Sequence, residues 1–153
     1  MRHFSVLIFI GLLAMASCSE ADKSVDEING VPAIVQEIGR SQEFKELKQA
    51  GVDLLPILAQ MDESLIQKSE QITSDLGEGY DTVTDVYCDA SLWEGHSILK
   101  AYNSIMCRYM SAEAAVQSAF PEYDRVRGEY GEALAHICRE THGVATYNPI
   151  TSK

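Results

Sequence analysis

Basic residues are scarce in this chain: 12 Lys and Arg stand against 23 Asp and Glu, for a net charge of −11 at neutral pH. Such an acidic surface repels phosphate backbones and anionic headgroups, which excludes nucleic acid as a general partner. Long apolar runs are missing as well. The longest, Phe4 to Leu13, is interrupted by Ser5 and Gly11, and a membrane helix needs about 20 such residues. Catalytic strings are also absent: there is no HExxH, GxSxG, P-loop or GxGxxG, and no CxxCH for haem attachment. The acidic run Asp75, Glu78, Asp81, Asp85 and Asp89 lacks the ligand pattern and turn glycine of an EF-hand. These absences argue for a non-catalytic protein with no cofactor and no metal.

The amino-terminal residues carry an address. Met1, Arg2 and His3 precede the apolar stretch, and small residues lead from it to Cys18. A positive start, a short apolar centre and a small-residue exit make a secretory signal, so residues 1–17 are expected to be removed. The exit, Leu13-Ala-Met-Ala-Ser-Cys18, resembles the lipobox of bacterial lipoprotein precursors, in which a cysteine follows two small residues and an aliphatic one; Met15 stands where leucine is commoner. The resemblance implies cleavage before Cys18, a diacylglycerol on its thiol and an acylated amine. Because Ser19 rather than aspartate follows, it also implies the outer membrane of a Gram-negative envelope, with the domain facing the periplasm. Each buried methylene adds about 0.8 kcal/mol, so two or three acyl chains hold a protein permanently. The alternative is an ordinary secretory signal with Cys18 as a spare thiol.

From Cys18 to Gly30 the chain is polar and acidic, too poor in large apolar groups to offset the entropy of ordering, and reads as a lipidated tether. Cleavage after Ser17 removes one of the 12 cations and leaves 136 residues with a net charge of −12, enough for one domain. That domain is expected over residues 31–145, followed by a tail at 146–153.

Apolar periodicity predicts an all-α bundle of four or five helices. Pro32 suits the first turn of a helix bearing Ile34, Val35 and Ile38. Ser41 suits the N-cap of a second, carrying Phe44 and Leu47 and stopped by Gly51. Leu54, Leu58, Met61, Leu65, Ile72 and Leu76 fall on one face of a single long helix, with Asp53 as its cap, Pro56 in its first turn and Gly77 as its stop. Residues 77–90 show no helical stripe. Ser91 and Glu94 match a capping box for a helix running to about Ala119, and Pro121 opens a hairpin to a last helix ending at Gly143.

Disulfides persist in the periplasm, and with Cys18 acylated, Cys88, Cys107 and Cys138 leave one bridge and one thiol. A hairpin about Phe120-Pro121-Glu122 places Cys107 level with Cys138, which predicts that pair; Cys88 with Cys138 is the alternative. Cys88 and Cys107 flank a predicted helix that would hold them roughly 24 Å apart, beyond the limit of about 7 Å for a bridge.

Two further clusters remain. Glu132, His136 and Glu140 recur every four residues, and Cys138 shares a face with His142, but the two sets diverge and neither reaches three or four ligands. Tyr80, Tyr87 and Trp93 beside Asp81 and Asp85 have the composition of a partner surface. The expected function is a lipid-anchored module that binds another envelope protein; the alternative is a periplasmic immunity protein or inhibitor of a toxin or hydrolase, since an acidic face speeds capture of a basic enzyme.

Overall fold

The computed structural model describes residues 30–76 and 79–144, which form six α-helices and one 3-10 turn with no strand among them. The all-α bundle is therefore what the chain adopts. The signal, Cys18 and the tether up to residue 29, together with the tail, lie outside the described residues.

Helix α1 (Ala33–Arg40) follows Pro32, whose φ of −55° is already helical. It buries Val35 and Ile38 completely. One residue then serves two helices: the Ser41 hydroxyl donates to Ile38 O (2.8 Å) at the end of α1 and accepts from Phe44 N (3.1 Å) at the start of α2 (Gln42–Leu58). Helix α2 runs through Gly51 and past Pro56 instead of stopping at the glycine. Gly51 is buried with the Tyr109 ring close above it, a Cβ there being 3.7 Å from Tyr109 Cε2. Packing has overridden the local preference for a stop.

The single long helix expected over Leu54 to Leu76 is two helices. The break falls at Ala59–Asp62, and Asp62, not Asp53, is a cap, accepting from Leu65 N (2.9 Å) at the start of α3 (Glu63–Ser74). Leu65, Ile72 and Leu76 still share a side, partly buried over Val86, Trp93 and Leu99. Helix α4 (Val83–Cys88) occupies the stretch that lacks a stripe; Thr82 and Asp85 close a capping box on it.

The expected box at Ser91 and Glu94 does not form. Asp89 instead accepts from Ser91 N (2.9 Å), tightening Ala90–Trp93 into a 3-10 turn. Gly95 then adopts φ +82°, a left-handed conformation that side chains resist. Helix α5 (Ser97–Ala119) begins only after that reversal. Cys88 is thereby folded back beside the third turn of α5, and its Cα lies 4.9 Å from that of Cys107, to which it is bonded. This corrects the expected pairing of Cys107 with Cys138, since the continuous helix that separated Cys88 from Cys107 does not exist before residue 97.

The hairpin to α6 (Tyr123–His142) does form. Glu113 lies level with Arg127 (2.8 Å) and Gln117 with Asp124 (3.2 Å). At Tyr130 (φ −131°, ψ 26°) α6 kinks, and its second half packs on α1 rather than on α5. Cys138 consequently joins Val35, Ile38, Leu134 and Ile137 in one apolar cluster, fully buried as a free thiol. The closest approach is at Gly39, where an added Cβ would stand 2.8 Å from Ile137 Cβ and Cγ2. Beyond it, His142 Nε2 donates to Arg40 O (2.9 Å), and Gly143 at φ +64° ends the helix as expected.

Candidate functional site

The aromatic partner surface is not assembled. Trp93 is 1% exposed, and its Nε1 donates to Val86 O (3.3 Å). Tyr87 is buried edge-on against Tyr102, with ring centroids 6.3 Å apart. Both are core residues: Trp93 packs with Val86 and Leu99, and Tyr87 with Leu54, Tyr102 and Met106. Of that set Tyr80, Asp81 and Asp85 are near the surface, and two of them serve local structure. The Tyr80 hydroxyl donates to Asp89 Oδ2 (2.6 Å), a bond that raises the phenol's pKa and, with bonds from Ser91, lowers the carboxyl's. Asp85 accepts from Thr82 N (2.8 Å). Asp81 is exposed.

The histidine and acidic residues of α6 are likewise dispersed. His142 is held by Arg40 O, and Cys138 lies in the core. Among the described residues no group of three or more His, Cys, Asp or Glu is placed to hold one ion. Burial pushes the Cys138 thiol up, with Lys48 and Lys45 opposing.

Concavity occurs elsewhere, between α2 and α5. Glu46 and Gln49, about a turn apart on one flank of α2, face Cys107, Arg108, Ser111, Ala112 and Ala115 of α5 across an open groove of about 410 Å³. The hollow exists because positions 111, 112 and 115 are Ser and Ala where α5 would otherwise present longer side chains. Its polar end is ordered: Arg108 Nη2 reaches Asp53 Oδ2 at 2.7 Å, and Gln49 Nε2 donates to Asp53 Oδ1 at 2.8 Å. Burial raises the Asp53 pKa, but the bonds from Arg108 and Gln49 together outweigh it and hold the carboxyl below its usual range. At the other side the wall is Cys107, so the disulfide to α4 fixes that edge.

The groove is built to hold a shape. The Ser111 hydroxyl donates a hydrogen bond to Cys107 O (2.8 Å), which leaves it in a structural bond rather than against a base, as a nucleophile requires. An oriented guanidinium and carboxylate beside an alanine floor suit a side-chain ridge of a partner, with Arg108 as an anchor of the kind that interfaces favour. Sequence reasoning missed this site; the signal was the run of small residues at 111, 112, 114 and 115.

Compared with known proteins, the chain matches no family model, no curated protein and no solved structure.

Proposed function

We propose that this chain is a lipid-anchored protein of the bacterial envelope whose helical domain binds another protein and catalyses no reaction. The observation that carries the reading is the string Leu13-Ala-Met-Ala-Ser-Cys18, set between an apolar stretch and a polar tether. It is supported by the groove between α2 and α5, which offers a small-residue floor and an oriented Arg108–Asp53 pair to a partner. The outer membrane, facing the periplasm, is the address proposed.

A photo-crosslinking residue placed at Ala115, in the groove, and a second at Arg125, outside it, test the reading in cells. A protein adduct formed from Ala115, absent from Arg125 and diminished by Arg108→Glu, is the expected result. Equal adducts from both positions, or none from either, contradict it.

The second reading, an immunity protein or inhibitor, rests on the segment Asp75 to Glu94, which carries Asp75, Glu78, Asp81, Asp85, Asp89 and Glu94 and no Lys or Arg. Such a segment would steer a basic enzyme toward the domain. Deletion strains more sensitive to rival strains or to lysozyme-like enzymes would favour it, and unchanged sensitivity counts against it.

A further inference from the structure

The three cysteines of the domain have unlike surroundings. Cys138 is fully buried. Cys88, the last residue of α4, is exposed, and its bridge partner Cys107 is half-buried and lines the groove between α2 and α5. The bridge therefore joins the domain's surface to one wall of its concavity. Exposed disulfides are the ones that thiols reach and exchange with, whereas enclosed ones resist reduction.

Helix α4 has only six residues, too few to stand without outside support. Two supports act besides the bridge. The capping box of Thr82 and Asp85 closes its first turn. Val86 and Tyr87 are buried, Val86 with Trp93 and Leu99, Tyr87 with Leu54, Tyr102 and Met106. Neither support passes through the sulfurs, so the bond can open while α4 stays seated.

We propose that the Cys88–Cys107 bridge is a redox switch for the groove, opened in the native fold by a dithiol reductant. This regulation rests on the reading of the groove as a partner site; the opening of the bond does not. A thiolate of the dithiol attacks the exposed Cys88 sulfur and forms a mixed disulfide, and Cys107 leaves as a thiolate that takes up a proton. The second thiol of the reductant then displaces Cys88, which is protonated in turn. Two electrons and two protons pass to the bridge, and the reductant leaves as a disulfide. While the bridge stands, it fixes the Cys107 side chain and with it one edge of the groove, next to Arg108. Reduction frees that side chain to rotate. A partner must then order it on binding, which weakens binding by about two- to tenfold on the scale of one immobilised side chain.

The first arm of the test treats the purified full chain with graded dithiothreitol in native buffer, then alkylates and maps it, reading circular dichroism and Trp93 emission in parallel. Alkylation of Cys88 and Cys107 together, with Cys138 protected and both spectra native, is the expected result. A bridge that opens only when Cys138 is also alkylated and the Trp93 emission shifts overturns the proposal. The second arm uses membranes carrying the full chain with a photo-crosslinking residue at Ala115. The protein adduct is expected to fall about two- to tenfold after reduction, to recover on reoxidation, and to stay low in Cys88→Ser with native circular dichroism. Equal adducts from oxidised chains and from chains shown by alkylation to be reduced overturn the switch and leave the groove reading standing. No adduct in either state overturns the groove reading and the switch with it.

Discussion

Cys88 and Cys107 are joined with Cα atoms 4.9 Å apart, 19 positions apart in sequence, so the bridge staples the short helix α4 to the middle of α5. Between them the chain folds a 3-10 turn and a left-handed glycine. The bridge thus closes a compact loop that holds Trp93 against Val86.

For a loop of about 20 residues the chain-entropy model gives about 3 kcal/mol. Cys88→Ser or Cys107→Ser is expected to lower unfolding free energy by up to that amount in denaturant titrations, and reductant should act on the native protein in the same direction. Peptide mapping without reduction should recover Cys88 linked to Cys107, with Cys138 reacting with thiol reagents only after unfolding. A linkage to Cys138 would refute this arrangement.

Trp93 provides a second check, because it is the only tryptophan and lies 1% exposed. Trp93→Ala is expected to cost about 3–5 kcal/mol as a large core truncation, and native emission should be blue-shifted, moving to longer wavelength on unfolding. A near-neutral substitution would return Trp93 to the surface.

The contact of α1 with α6 tolerates little at Gly39. An alanine there would place its Cβ 2.8 Å from two side-chain carbons of Ile137, and overpacking of that kind costs about 1–3 kcal/mol. Gly39→Ala should destabilise by that amount, and Ile137→Ala in the same chain should make the glycine substitution cheaper than it is alone. Additive losses would show that the two residues do not meet.

The Asp53–Arg108 pair sets an acid-range expectation. Because the folded carboxyl is depressed below its ordinary pKa, its contribution is present above about pH 4 and is lost as pH falls through the folded value. The two side chains are 35% and 53% exposed, which limits the pair to about 1 kcal/mol or less. Asp53→Asn should therefore lower stability slightly at neutral pH, less in high salt, and not at all well below pH 4. Equal losses at both pH values would contradict the assignment.

Much of this fold is legible where a local signal and the tertiary structure agree. Pro32, Ser41, the turn at Pro121 and Gly143 each mark the boundary they resemble. The long stripe from Leu54 to Leu76 was misleading because α2 and α3 both bury residues on helical spacing, and the break depends on one short cap at Asp62. At Ser91 and Glu94 the motif was present but Asp89 outcompeted it by bonding Ser91 first. The disulfide followed from that error, since a helix begun five residues early puts Cys88 on the wrong side of a reversal. The groove was hidden because it depends on which flank of α2 meets α5, and no spacing within one helix reveals that.

The central claim, a protein-binding helical domain fixed to a membrane by acyl chains at Cys18, is tested most directly by intact mass spectrometry of the native protein extracted from membranes. The account predicts a chain that begins at Cys18 and carries the added mass of a diacylglyceryl group and an amide-linked acyl chain. An unmodified thiol at residue 18, or a chain that retains residues 1–17, would contradict it.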